Sequence, residues 1–370
     1  MISKERVLER FLKYIQIDSE SYSEGQFAKV LKEELEILGF EVEFDNAGEV
    51  VGSDTGNLIA RLKGNIQGES ILLCGHMDTV RPGKSIKPVI KDGIVYSDGT
   101  TILGGDNKGG VASILEALTA IKEENIQHTD IEVVFTIAEE VGIYGAKNLD
   151  YSKIKSKKAY IFDTSGDIGN IIIKGPAQDK IIVEINGKAA HAGVSPESGI
   201  SAIQIAAEAI ANMKLLRIDE NTTANIGKIN GGVATNVVCP EVIIEAETRS
   251  TDINSLEKQT AHMIEVFEKS AKKFGGTVDI KVDRVFGQFV IDENDEIVKK
   301  AKKAMNNLGI EGKISSSGGG SDTNILNGNG IKAINLSSGE RKPHTLDEYM
   351  VIDDLEKLSK LILEIVKVSK

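Results

Sequence analysis

Apolar and polar residues follow one another along this chain in two rhythms. Over 4–17 (KERVLERFLKYIQI) and 25–38 (GQFAKVLKEELEIL) apolar positions recur every three or four residues, which predicts amphipathic helices. Shorter apolar runs at about 40–46, 57–63 and 70–76 predict strands. The stretch GGDNKGGVASILEALTAIKEEN then opens a long helix near Asp106. IEVVFTIA (131–138) and KAYIFD (158–163) are nearly continuous apolar runs, as expected for strands covered on both faces.

The texture changes near Lys174. From there the order reads strand from 178, helix 198–214, strand 222–230, strand 241–249, helix 253–273 and strand 277–284. A β-α-β-β-α-β succession is the ferredoxin-like unit. A helix over 293–308 and a strand over 331–336 follow. The pattern predicts an α/β protein in which a first domain, 1–176 and 286–370, is interrupted by an inserted domain, 177–285.

Composition narrows this picture. With 370 residues, 41% of them hydrophobic and 27% charged, the chain has ample core for two domains. Fifty-six acidic residues against 44 basic ones leave a formal charge of −12, which argues against non-specific nucleic-acid binding. The one basic run, Lys153–Lys158 (KIKSKK), reads as a solvated loop. Cys74 and Cys239 lie far apart in apolar surroundings, as reduced core residues do. No segment approaches the ~18 apolar residues of a membrane span, and the N-terminus lacks a signal-type apolar stretch. A cytoplasmic protein without membrane or nucleic-acid partners is expected.

Candidate chemistry gathers where the apolar strands end. ILLCG is followed by His76 and Asp78, IEVVFTIA by Glu139 and Glu140, AYIF by Asp163, and IKAINLSSGERKP by His344. In open α/β sheets sites form beyond the carboxyl ends of strands. Each residue alone admits a plainer reading. His76 and Asp78 suit a polar strand end, or a ligand and the carboxylate that orients it. Asp106 suits a helix cap or a ligand. Glu139 and Glu140 suit a solvated acidic turn, or a base and a ligand beside a cation. His128 and His262 read as structural, and His191 by itself as a surface histidine. Imidazoles and carboxylates without a thiolate suit Zn²⁺, Mn²⁺ or Co²⁺, and the carboxylates outnumber what one tetrahedral ion uses.

The stretches GHMDTV, GGDNKGGVA, AEEVGIYGA, FDTSG, AAHAG, GGVATNVVCP, GGGSDTN and KPHTLDEYM succeed one another from end to end. In this set and order the chain resembles the di-zinc metallopeptidases that include peptidase T, carboxypeptidase G, aminoacylase and succinyl-diaminopimelate desuccinylase. The resemblance implies a mixed-sheet α/β catalytic domain with an inserted ferredoxin-like lid and dimerisation domain. It implies two Zn²⁺ (or Co²⁺ or Mn²⁺), one on His76, Asp106 and Asp163, the other on Asp106, Glu140 and His344. It makes Glu139 the general base and Asp78 the support of His76, with a cis bond after Asp106. His191 is then expected to reach the site of a partner subunit. Asn236, Arg249, Gly319 and Ser321 are expected to contact substrate.

Among these proteins the chain is most similar to peptidase T and its tripeptidase-like relatives, because amino-acid deacylases and carboxypeptidases usually carry Glu where Asp163 stands. The peptidase T pattern has an arginine just before its Gly-Gly-Thr-Asp loop, and SSSGGGSDTN has serines and glycines there. The implied activity is hydrolysis of short peptides by a homodimer. The rival substrates are N-acyl amino acids. A non-catalytic interaction protein and a di-metal phosphoesterase are further alternatives, the latter disfavoured because no basic cluster accompanies the candidate ligands.

Overall fold

The computed structural model describes residues 1–369 and divides into two compact units. The first comprises Met1–Ile173, Val290–Ser316 and Ser321–Lys370, and the second Lys174–Phe289 with Ser317–Gly320.

The first unit is built on a nine-stranded mixed sheet. Its spatial order begins Glu41–Phe44, Leu58–Leu62, Ile131–Thr136, Ile71–His76, Lys158–Thr164, Lys332–Ser337, Asn170–Gly175. Four of these strands run parallel to one another, because Ile71–His76 pairs in parallel with both Ile131–Thr136 and Lys158–Thr164, and Lys332–Ser337 with Lys158–Thr164. Their carboxyl ends therefore emerge along one edge, and the segments bearing the candidate residues leave from it. The strands Ile71–His76 and Ile131–Thr136 are buried throughout, which explains their nearly continuous apolar runs. Helix Gly105–Glu123 is buried along most of its length and packs against Ile71–His76, Lys158–Thr164 and the closing helix Ile352–Val368.

A small four-stranded sheet, in the order Glu340–Arg341, Tyr349–Val351, Ile94–Tyr96, Val89–Lys91, is absent from the elements predicted above, as is the helix Ile352–Val368. Strands of two or three residues carry too little periodicity to be read. They matter here because the hairpin between Arg341 and Tyr349 carries His344.

The second unit is a five-stranded antiparallel sheet in the order Leu216–Arg217, Thr222–Gly231, Glu241–Ser250, Ala177–Asn186, Thr277–Phe286. Ile181, Val183 and Ile185 point from the strand Ala177–Asn186 into a core shared with Ile205 and Ala209 of helix Ala202–Asn212 and Met263 and Phe267 of helix Ile253–Phe274. The chain order is β-α-β-β-α-β with one short extra edge strand. The first helix begins at Ala202 rather than 198. Pro196–Ser198 forms a separate tight turn, Ile200 bridges to Lys188, and the Ser201 hydroxyl caps the helix by accepting from the Gln204 N–H.

Candidate metal centre

The loop from Leu103 to Lys108 sets the first element of the site. Gly104 takes a left-handed conformation (φ 75°), and Asp106 is extended (φ −81°, ψ 104°), so the helix proper starts beyond Asn107. Asp106 caps nothing with its side chain. The Glu348 carboxylate holds this loop, accepting from the N–H groups of Leu103 (2.8 Å), Gly104 (2.8 Å) and Asp106 (3.0 Å). The Asp106–Asn107 peptide bond is cis. Asn107 turns inward, donating to the Phe162 carbonyl and to Asp163 Oδ1 and accepting from the His76 N–H. A β-carbon on Gly75 would collide with Asn107 Oδ1, which accounts for glycine immediately before His76.

The Asp106 carboxylate stands between two imidazoles. Its Oδ1 lies 3.1 Å from His76 Nε2, and its Oδ2 lies 3.4 Å from His344 Nε2. His76 Nε2 is also 3.3 Å from Asp163 Oδ1, and His344 Nε2 is 2.9 Å from Glu140 Oε2. Ligand atoms of His76, Asp106 and Glu140 all fall within 4.8 Å of one another. Five of the expected residues are thus brought together: His76, Asp106, Asp163, Glu140 and His344. Only His344 among them is substantially exposed.

Asp78 braces the cluster from behind. His76 Nδ1 is 2.9 Å from the Asp78 carbonyl and 3.4 Å from its Oδ1. The same carboxylate accepts from the Ser21 hydroxyl (2.7 Å) and from the N–H groups of Glu139 (2.9 Å) and Glu140 (3.2 Å). Buried Glu24 continues the pattern by accepting from the Ala138 N–H (2.9 Å) and the Ser53 hydroxyl (2.6 Å). Three successive amides at the end of strand Ile131–Thr136 are therefore fixed by two buried carboxylates. Asp163 is fixed by Asn335, whose side chain accepts from the Asp163 N–H and donates to its carbonyl.

Electrostatics show what this arrangement suits. Burial pushes the Glu139 carboxyl well above the usual range, and the charges of Asp163, Asp322 and Glu140 add to it despite His76. Burial, with Asp106 and Asp322 nearby, lifts Asp163 to about 7 in spite of His76. Burial and Asp106 raise Glu140 against the bond from His344. Bonds to Asp106 and Glu140 lift His344 to about 10. Burial alone raises Asp106, but the two imidazoles outweigh it and leave that carboxyl low. Crowded carboxylates that resist ionising, around imidazole nitrogens that attract positive charge, fit a divalent cation. Nitrogen and oxygen donors without thiolate suit zinc, manganese or cobalt, and three protein ligands per ion is the pattern of an open catalytic site.

Several residues of this scaffold carry no role in the sequence reading: Ser21, Glu24, Asn107, Asn335 and Glu348. Asn107 and Glu348 lie inside matched stretches, GGDNKGGVA and KPHTLDEYM, so a signal existed. Ser21 and Glu24 sit in the polar connection between the first two helices, where nothing distinguishes them from loop residues. His128 is buried, with Nδ1 at 2.8 Å from the Thr129 carbonyl, and His262 Nε2 accepts from the Lys214 N–H.

Of the remaining expected residues, Ser321 belongs to the first unit. It caps helix Asp322–Gly328 and accepts from Asn335, which links it to Asp163. His191, Asn236, Arg249 and Gly319 belong to the second unit. There His191 is exposed, its Nδ1 accepting from the Gly193 N–H, and its backbone pairs with Val237. Asn236 and Gly319 are exposed on loops. Arg249 forks onto Glu247 of its own strand (2.9 and 3.1 Å).

Comparison with known proteins shows the family. Residues 72–368 match the family model described as peptidase family M20/M25/M40. The aminopeptidase PepT structure from Bacillus cereus is 45% identical, with a TM-score of 0.94 over all of both chains. A tripeptidase structure from Staphylococcus aureus is 43% identical, with a TM-score of 0.97 over 100% of this chain and 99% of that one. A peptidase T from Geobacillus is 29% identical across 98% of each chain. From its sequence and its fold alike, the chain belongs to peptidase family M20/M25/M40.

Proposed function

We propose that this metallopeptidase is a cytoplasmic, two-zinc exopeptidase of the tripeptidase or aminopeptidase type, acting on short peptides. One observation carries the reading: the two oxygens of Asp106 face two different imidazoles, His76 and His344, each accompanied by a further carboxylate. A carboxylate so placed is suited to bridge two cations. His76, Asp106 and Asp163 would hold one, and Asp106, Glu140 and His344 the other. The aminopeptidase and tripeptidase likenesses over the whole chain support the substrate class.

Bound cations of this kind polarise a scissile carbonyl and make water acidic enough to attack it near neutral pH. The chain's own groups do the rest. Glu139, whose carboxyl is raised by burial and its acidic neighbours, takes the proton of the attacking water and returns it to the leaving amine. Asp78 fixes the His76 ring from its Nδ1 side and the backbone on which Glu139 sits. The second unit serves as lid and pairing domain: His191 of a partner subunit donates to the developing oxyanion, and Asn236, Arg249 and Gly319, with Ser321 of the first unit, hold the peptide. Pairing is supported by the strand Thr222–Gly231, whose outer half runs exposed through Ile229.

The test is a panel of tripeptides, dipeptides and N-acetyl amino acids offered to zinc-reconstituted protein. Tripeptides are expected to be cleaved, with loss on chelation and recovery on adding zinc. Preference for N-acetyl amino acids, or cleavage indifferent to chelation, would contradict the proposal.

A further inference from the structure

The stretch GGGSDTN contains one acid to which the chemistry above gives no task. Asp322 opens helix Asp322–Gly328 in the first unit and is only 2% exposed. One turn later Leu326 enters an apolar cluster with Leu72, Cys74, Val134 and Ile161, so the carboxylate sits at the edge of a core. Its Oδ2 accepts from the Thr136 hydroxyl at 2.6 Å and lies 3.9 Å from the Cys74 thiol, a weak donor. Its Oδ1 is buried with no hydrogen-bond partner among the described residues. The neighbours that act on its charge are Thr136, His76, Asp78 and Cys74, none of them a lysine or arginine. A carboxylate buried with so little to answer it is costly to the fold.

The position of Asp322 brings that charge to the metal centre. Thr136 pairs with His76 in parallel register and stands three residues before Glu139. The charge of Asp322 adds to what lifts the carboxyls of Glu139 and Asp163. Burial, with Asp78 nearby, lifts its own carboxyl to about 6 against the bond from Thr136 and the charge of His76. The Thr136 hydroxyl bond does not require an acid, since the carbonyl of an asparagine accepts equally well. What asparagine does not supply is negative charge, and in a low-dielectric interior a charge acts well beyond contact distance.

We infer that Asp322 is a buried counter-charge to the metal pair, strengthening the hold of the proposed ligands on both cations without touching either. The inference rests on the two-cation reading above. In the metal-free chain the carboxylate weighs against folding, and bound cations answer it.

Asp322→Asn removes the charge and keeps the shape. Zinc affinity of the full chain, measured at pH 8 by competition with a chromophoric chelator, should fall about 10–100-fold, the range for groups that support a metal from behind its ligands. Denaturant unfolding of the same variant without metal should move to a higher midpoint, because an unanswered charge has gone. A merely structural residue would lower both quantities when replaced. Thr136→Val deletes the hydrogen bond and keeps the charge, so its zinc affinity should stay near the wild-type value. Unchanged affinity in Asp322→Asn, a lowered midpoint beside lowered affinity, or an equal loss of affinity in Thr136→Val overturns the counter-charge. Peptide cleavage enters none of these readings, so a wild-type chain that binds zinc without turnover would count against the exopeptidase reading alone. A wild-type chain that binds no zinc overturns both.

Discussion

The Glu139 N–H donates to Asp78 Oδ1 at 2.9 Å, so the proposed general base and the proposed ligand His76 are held by one buried carboxylate. Asp78 lies entirely out of solvent and also receives Ser21 and the Glu140 N–H. Asp78→Ala therefore loosens His76 and the backbone of both glutamates at once. Zinc affinity and kcat/KM should each fall about 10–100-fold, the range for removing a group that orients a ligand. Metal titration beside steady-state kinetics checks this, and unaltered affinity would detach Asp78 from the site.

Glu139→Gln separates binding from proton transfer. The variant keeps the amide that Asp78 holds and every proposed ligand, so metal content should match wild type. Turnover should fall about 10²–10⁴-fold. A near-normal rate removes Glu139 from the mechanism.

Glu348 is the residue whose importance the structure adds. Removing its carboxylate by Glu348→Ala strands three amides, those of Leu103, Gly104 and Asp106. At roughly 1 kcal/mol or more for each unsatisfied group, stability should drop by about 3 kcal/mol. Denaturant unfolding of the metal-free protein measures it, and a loss below about 1 kcal/mol contradicts the account of the loop.

Lys108 predicts a pH dependence. Its ammonium is buried, donating to the Ile17 carbonyl at 2.7 Å and lying 5.0 Å from the Phe27 ring. Burial lowers it from 10.5 to about 7. Between those values the unfolded chain holds the proton and the folded chain has shed it, so stability rises with pH, by at most about 1.4 kcal/mol per unit. Below pH 7 both states are charged and this slope vanishes. Lys108→Met should remove the rise between pH 7 and 10. Parallel curves for the two proteins would show that Lys108 does not titrate in this way.

Much of the fold was legible because burial leaves a mark on the sequence. Strands covered on both faces, such as Ile131–Thr136, read as nearly continuous apolar runs, and amphipathic helices such as Gly25–Leu38 as a three-to-four period. His76, Glu140 and Asp163 were found as polar residues following such runs. What escaped is what hydrogen bonding arranges over long separations. Glu348 meets Asp106 across 242 residues, and Glu24 meets Ala138 across 114; no local pattern encodes either. The strands around His344 are too short for periodicity. The start of helix Ala202–Asn212 was misplaced because Ser201 caps it after a turn that the apolar spacing conceals.

The central claim is that Asp106 bridges two cations. Anomalous diffraction at the zinc edge from crystals of zinc-loaded protein tests it most directly. The account predicts two peaks in each chain on opposite sides of Asp106, one by His76 and Asp163, the other by Glu140 and His344. A single peak, or zinc bound only elsewhere, would contradict it.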